Sequence, residues 1–399
     1  MRYLFYSHDG MGLGHTRRNL AVAKALTELS PEATVLLVTG TSHISRLALP
    51  PNVEILKLPS LRKVSNGEYS SRSLGISGEE IRELRSRLLL AAVKSFLPAV
   101  VLVDKHPFGA GGEFKAGLKA LRRQGGRAVL GLRDILDEPA CVLAEWRPYR
   151  MQHRIAQYYD QVFVYGQRAI LDPTVEYRFP PNLAARTRFC GYVVNRDSAQ
   201  ELADFKPLLS DPSKDMRPTV LATAGGGEDG FALLETFMHA AAGAPWQGVV
   251  VAGPMTPEPQ MQALALLAAE NGVILHKFVP QLPTLFKSIA ALVSMGGYNT
   301  IAEAVSQGVP TVCVPRIVPR TEQLIRAEAF ARLGLLHALH PGQLNPQSLR
   351  SKISYAIASA RNQLSRRAEQ ELRFDGGRQA AGHLLQLATA TRVGDLAVA

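Results

Sequence analysis

Three glycine-rich turns in this chain each stand between an apolar run and a helical pattern: "GMGLG" at 10–14, "GGG" at 225–227 and "GG" at 296–297. A strand that ends in such a turn and feeds a helix presents free backbone N–H groups at the positive end of the helix dipole, which suits an anion. The first turn comes close to the dinucleotide pattern G-x-G-x-x-G but departs from it, because Gly10, Gly12 and Gly14 lie two apart and His15 follows. The second apolar run ends "VTGTSH", without the acidic residue that would hold a ribose. We therefore read the loop as one whose glycines, Gly12 and Gly14 among them, present His15 with little side-chain cover. A histidine titrates near neutrality and suits a general base that takes a proton from an attacking hydroxyl. The alternative role for His15 is to cap or shape the loop. Asp104, His106 and Asp134, at the ends of neighbouring apolar runs, are rival bases or acceptor contacts.

The turn at 296 carries more information. It runs "GGYNTIAEAVSQGVPTVCVPR": Gly296 and Gly297 end an apolar run, Asn299 and Thr300 open a helix, and Glu303 follows on its first turn. A carboxylate beside an anion site disfavours phosphate unless it has other work. Accepting hydrogen bonds from the two vicinal hydroxyls of a ribose is such work. One short stretch can thus hold a diphosphate by N–H groups and Thr300, and the adjacent ribose by Glu303. The plain alternative for Glu303 is an acid favouring a helix N-terminus. Arg316, at the end of the next apolar run, can neutralise phosphate or sit on the surface.

Short apolar runs alternating with amphipathic helical stretches must position these groups. Runs at 3–7, 34–40, 53–59, 99–105, 128–134 and 161–166 form one series, and runs at 219–227, 248–254, 273–280, 290–297 and 310–316 a second. That rhythm predicts α/β architecture with two doubly wound, Rossmann-like domains facing a cleft. The expected division is an acceptor-side domain over 1–195, a linker over 196–217, a donor-binding domain over 218–375, and a final helix and tail over 376–399. A helix over 78–96 starts at a capping box, Ser77 with Glu80. Ile81, Leu84, Leu88 and Ala92 are expected inside, and Arg82, Arg85 and Lys94 on a solvated face. Residues 62–78 form a long polar connection, either filler or a lid.

The 399 residues are 46% hydrophobic, enough for two cores. Cys141, Cys190 and Cys313 are too few and too scattered for a disulfide framework or zinc site, which suits a reducing compartment. Nothing in the sequence reads as a signal peptide or as an apolar run long enough to cross a bilayer, so the expected location is cytoplasmic, with peripheral contact at the inner face of the membrane as an option. The net charge of +11 fits an anionic substrate or anionic lipid, the latter through Arg17, Arg18, Arg62, Lys63, Arg82 and Arg85. No compact basic run with interleaved aromatics points to nucleic acid.

With these residues in view, the chain resembles the GT-B glycosyltransferases of the MurG type. The motifs "GYVVN" (191–195), "GGG" (225–227), "KFVPQL" (277–282), "GGYNTIAE" (296–303) and "RTEQ" (320–323) fall in that family's order, as does the first loop with His15. The resemblance implies a hexosyl transfer, N-acetylglucosaminyl in the lipid-precursor enzymes, from a UDP-linked sugar to an acceptor hydroxyl, with inversion. It implies that Gly225, Gly226 and Gly227 approach the donor diphosphate and that the backbone at Phe278 and Val279 reads the base. Gly297, Asn299 and Thr300 would hold phosphate, Glu303 the ribose, and Glu322 with Gln323 the donor sugar, while His15 would face the donor. No D-x-D occurs, so no metal and no cofactor are expected. The acceptor-side stretches depart from the family: "LRDILDEP" (132–139) and "VDKHPFG" (103–109) replace its motifs, which puts a peptidoglycan acceptor in doubt and leaves a small molecule, a glycan or a lipid-linked sugar. A nucleotide-sugar hydrolase or epimerase on the same scaffold is the second reading, and a non-enzymatic sugar-nucleotide sensor the third.

Overall fold

The computed structural model describes residues 1–8, 14–41, 48–65, 68–195, 209 and 216–396. Gly10, Gly12 and most of the 196–217 linker lie outside the described residues. The chain forms two compact units, 1–193 with 375–399, and 194–374.

The first unit is built on a seven-stranded parallel sheet. Its strands are β1 (Arg2–Ser7), β2 (Thr34–Thr39), β3 (Val53–Lys57), β6 (Val100–Asp104), β7 (Arg127–Arg133), β8 (Gln161–Tyr165) and β9 (Thr187–Phe189). They lie in the order β3-β2-β1-β6-β7-β8-β9. All five residues of β6 are buried, as expected of a strand covered on both faces. Helix α1 (Gly14–Leu29) follows β1. The strand order reverses between β1 and β6, which makes a crevice at their C-terminal ends.

Helix α2 (Gly78–Phe96) begins as expected. Ser77 Oγ accepts from the Glu80 N–H at 3.2 Å, and the Ser77 N–H donates to Glu80 Oε2 at 2.8 Å. Its buried row differs from the expected one: Ile81, Arg85, Leu89 and Val93 face inward, while Leu84 and Leu88 are exposed. Arg85 is therefore not on a solvated face. Its Nε donates to Glu113 Oε2 at 2.6 Å and its Nη2 to Glu113 Oε1 at 2.7 Å, and Tyr6 Oη also donates to Glu113. A buried guanidinium is tolerable there because a buried carboxylate meets it.

Part of the 62–78 connection is regular structure, which the sequence reading did not expect. β4 (Leu61–Ser65) and β5 (Glu68–Ser71) pair antiparallel as a hairpin. The final helix, Gly376–Leu396, returns to the first unit and packs on α1. A bridge between Val193 and Asp375 ties its start down. A Cβ at Gly376 would come within 2.4 Å of the Gly191 carbonyl, so this close crossing needs glycine.

The second unit has a six-stranded parallel sheet made of β10 (Thr219–Thr223), β11 (Gln247–Val251), β12 (Ile274–His276), β13 (Ala291–Ser294), β14 (Thr311–Cys313) and β15 (His337–Ala338). The order is β12-β11-β10-β13-β14-β15, with its own reversal between β10 and β13.

Candidate active site

Each reversal point gathers chemistry-bearing residues. In the first unit, Ser7 of β1 lies in register with Asp104 of β6, so the ends of the two strands stand side by side. The chain then turns sharply. Lys105 has a φ of 66°, its N–H donates to Gly131 O at 2.7 Å, and the His106 N–H donates to Asp104 O at 2.8 Å. Residues held in such sparsely used backbone conformations cluster at functional sites.

His15, on the first turn of α1, places Nδ1 2.9 Å from Asp104 Oδ2. Arg18, one turn further along α1, donates from Nη2 to Asp104 Oδ1 at 2.8 Å and Oδ2 at 2.7 Å. The same Nη2 lies 2.8 Å from His15 Nδ1. Burial alone would raise the Asp104 carboxyl, but the charges and hydrogen bonds of Arg18 and His15 outweigh it and hold the group well below the usual carboxylate range. Arg18 is only 3% exposed and stacks over the Tyr165 ring, 5.1 Å from its centroid. Arg18 and Arg85 are thus both buried ion-pair members, which removes them from the expected set of lipid-facing arginines.

The half-buried His106 belongs to the same group through His8. The His8 and His106 rings meet edge to face with centroids 4.2 Å apart, and His8 lies 6.1 Å from His15. Burial, then the nearby His15 and Lys105, keep His8 well below the usual histidine range. Asp134 is buried after β7 and turns Oδ1 to the Ile135 N–H at 2.8 Å. Arg18 and His8 are the site residues that sequence reasoning missed. The signal for Arg18 was its i+3 spacing from His15, and for His8 its place directly after β1.

In the second unit, the turn after β10 has Gly225 at φ 67° and Gly227 at φ 96°. A Cβ at Gly225 or Gly226 would meet nothing within 4 Å, so this turn faces open space, while one at Gly227 would collide with Thr256 Oγ1 at 2.4 Å. After β13, Gly296 has φ 88° and a Cβ there would crowd Cys313 Sγ at 3.0 Å and Gln323 Cβ at 3.3 Å. Gly297 is open and caps the helix Tyr298–Ser306, whose first turn carries half-buried Asn299 and Thr300. Glu303 is enclosed on the same helix, at 5% exposure.

Arg326 was also missed. It is buried on the helix Glu322–Arg332 and donates from Nη1 to Gly296 O at 3.0 Å, which holds the turn from behind. Arg316 joins two carboxylates: Nη1 donates to Asp229 Oδ2 at 2.7 Å and Nη2 to Glu322 Oε1 at 3.1 Å. Its backbone N–H donates to Gln323 Oε1 at 3.1 Å. Its charge is therefore already balanced, and it fixes the Glu322–Gln323 pair. Glu322 Oε2 is buried without a hydrogen-bond partner among the described residues, an acceptor left open. Val279 packs its side chain into an apolar cluster with Leu221 and Phe286, so only its backbone remains to contact a ligand, beside half-buried Phe278. Burial raises the Cys313 thiol to about 12, and Cys141, Cys190 and Cys313 form no disulfide.

Residues 232–380 match the glycosyltransferase family 28 C-terminal domain. The chain has the GT-B fold and carries a glycosyltransferase family 28 C-terminal domain. A UDP-N-acetylglucosamine--N-acetylmuramyl-(pentapeptide) pyrophosphoryl-undecaprenol N-acetylglucosamine transferase from Limosilactobacillus fermentum is 24% identical to it over 368 residues, 90% of each protein. The crystal structure of Acinetobacter baumannii MurG superposes on this glycosyltransferase with a TM-score of 0.57 and 16% identity, covering 98% of this chain and 100% of MurG. The glycosyltransferase VinC, crystallised with dTDP, gives a TM-score of 0.62 and 20% identity over 98% of this chain and 100% of its own. No helix among the described residues of the glycosyltransferase is long and apolar enough to cross a membrane.

Proposed function

We propose that the enzyme transfers a hexosyl group from a UDP-linked sugar to an acceptor hydroxyl, with inversion at the anomeric carbon. The second unit is the donor side. Backbone N–H groups at Gly225–Gly227 and at the start of the helix Tyr298–Ser306 take the charge that grows on the leaving diphosphate. Glu303 accepts from the ribose hydroxyls, and Glu322 with Gln323 from the sugar. The open acceptor at Glu322 Oε2 favours a neutral polyol there.

His15 is the base for the acceptor hydroxyl. The observation that carries this reading is the 2.9 Å contact between its Nδ1 and the Asp104 carboxylate. A proton on Nδ1 satisfies that oxygen and makes Nε2 the ring nitrogen that takes the proton. Asp134 and His106 are assigned to the acceptor. The acceptor is a small molecule, a glycan or a lipid-linked sugar, because the stretches 103–109 and 132–139 depart from the lipid-precursor pattern. Work in the cytoplasm with peripheral contact to anionic lipid, through exposed cations such as Arg62, completes the proposal.

A thermal-shift series with UDP, dTDP and UDP-sugars tests the donor side. Saturation at 100 times the dissociation constant stabilises by about 2.7 kcal/mol. No shift with any nucleoside diphosphate would overturn the assignment. UDP release that requires an added acceptor identifies transfer, whereas full-rate release from donor alone identifies hydrolysis.

A further inference from the structure

The turn at Gly225–Gly227 is braced from beneath by residues 252–256, which leave β11 and lead into the helix Glu258–Asn271. The two loops meet backbone to backbone. The Met255 N–H donates to Gly226 O at 2.9 Å. A Cβ at Gly253 would come within 2.7 Å of Gly225 O and of the Gly226 carbonyl, and one at Gly227 within 2.4 Å of Thr256 Oγ1. Gly253 also has φ 115°, a conformation that favours glycine. The close approach therefore needs glycine on both sides.

The other edge of the same segment is tied to a second donor element. The Ala252 N–H donates to His276 O at 3.0 Å, and the Gly253 N–H to Lys277 O at 2.9 Å. These bonds carry the parallel β11–β12 ladder past the end of β11, to the residue before Phe278. Gly253 thus touches the glycine turn on one side and, on the other, the strand whose continuation at Phe278 and Val279 is expected to read the base. Thr256 completes the floor under Gly227. It is 6% exposed, and its Oγ1 has no hydrogen-bond partner among the described residues. A buried hydroxyl without a partner is costly, so the side chain contributes shape beneath Gly227 rather than a bond.

In a nucleotide, the spacing between base and phosphates is set by the ribose and the number of phosphates. A site that reads both ends discriminates only if its two reading elements are held at that spacing. The turn cannot hold itself through side chains, because it has none, and a Cβ at Gly225 or Gly226 would meet nothing within 4 Å. Its place is set by what lies beneath.

We propose that Gly253 and Thr256 are positioning residues that hold the glycine turn at a fixed spacing from the base-reading backbone, and so make the site prefer a nucleoside diphosphate to the nucleoside. This rests on the reading of the second unit as the donor side, and the two are separable by experiment.

The test measures UDP binding by calorimetry and uridine binding by ligand-observed NMR, in the full chain and in Gly253→Ala, Thr256→Ile and Thr256→Val. In Gly253→Ala the added Cβ displaces the turn. UDP affinity falls about tenfold or more, from lost charge-assisted hydrogen bonds, while uridine affinity stays within about twofold. Thr256→Ile, which extends the side chain by one carbon beneath Gly227, lowers the UDP-to-uridine ratio in the same direction. Thr256→Val keeps the shape, so its ratio stays within about twofold of native and its unfolding midpoint is at or above native. The ratio is a readout that general damage to the unit does not move. A ratio unchanged in Gly253→Ala overturns the inference, as does an equal loss of UDP and uridine. Selective loss of UDP in Thr256→Val overturns it too, because the hydroxyl would then be a ligand itself. A native chain that binds no nucleoside diphosphate overturns the donor reading, and this inference with it. If Gly253→Ala fails to fold, the two Thr256 variants decide by the same ratio.

Discussion

His15 and Asp104 are 89 residues apart in sequence, yet Nδ1 and Oδ2 lie 2.9 Å apart at the reversal point of the first sheet. In the proposed reading the carboxylate fixes which ring nitrogen carries the proton. Asp104→Asn should therefore reverse the site, because an amide N–H facing Nδ1 moves the ring proton to Nε2. The expected loss in kcat is about 10²–10⁴-fold, the usual worth of general-base help, with donor KM nearly unchanged. Arg18 also loses its buried partner, so the thermal midpoint falls as well. Combining Asp104→Asn with Arg18→Met should recover stability without recovering rate. A kcat that stays within twofold of native in Asp104→Asn would sink the tautomer argument.

Glu303 supplies a test on the donor side. It is enclosed at 5% exposure on the helix that follows the Gly296–Gly297 turn. Glu303→Gln keeps the shape and removes the charge that would accept from two ribose hydroxyls. Hydrogen bonds to a charged group are worth about 1.5–3 kcal/mol, so UDP affinity should fall by roughly ten- to a hundredfold. Calorimetry with UDP and with uracil reads this directly. Glu303 is the sixth residue of the helix Tyr298–Ser306 and not on its first turn, as the sequence reading had it, so equal UDP affinity in the variant and native protein would leave it an enclosed structural acid and nothing more.

Arg85 and Glu113 form a buried pair with both side chains closed to solvent. Removing one partner leaves an uncompensated buried charge, which costs about 3–5 kcal/mol. Arg85→Met or Glu113→Gln alone should therefore lower the unfolding midpoint of the first unit strongly, with a single amide oxygen left to accept from both Tyr6 and Arg85 in the second case. The double variant should be much closer to native. Additive losses in the double variant would show that the pair is not one unit.

These two ion pairs also show where the sequence stops being legible. The strands were readable because runs such as "VVLVD" are apolar along their whole length and buried on both faces. The glycine turns were readable because only glycine suits a φ of 88° at Gly296. The inward face of α2 was not, since Ile81–Leu84–Leu88 and Ile81–Arg85–Leu89 both fit helical spacing. The choice between them depends on Glu113, 28 residues beyond Arg85. Arg18 looks like a surface cation until Asp104 is brought beside it. The β4–β5 pairing had a signal in the sequence that the polar composition hid: the pair Asn-Gly at 66–67, a type of dipeptide favoured in two-residue hairpin connections. β15, two residues long, is too short for any period to mark it.

His8 gives the pH dependence of folding. Burial lowers its affinity for a proton in the folded state, while in the unfolded chain it titrates at about 6.5. Between those two points the unfolded chain binds more protons than the folded one, so stability rises with pH there. The contribution of His8 is thus complete above about pH 6.5 and is lost as pH falls below it, at up to roughly 1.4 kcal/mol per pH unit. His337 and His383 are lowered by burial as well and act in the same direction. Asp104 acts in a lower window. Its folded carboxyl is held down by Arg18 and His15, so its contribution is present above about pH 4 and declines only below that. Urea unfolding at pH 7.5 and pH 5.5 should therefore show a drop in stability that becomes smaller in His8→Gln, with the part due to His337 and His383 remaining. The same drop in both proteins would mean that His8 takes up its proton in the folded state, and its place beside His106 would then need a different electrostatic account.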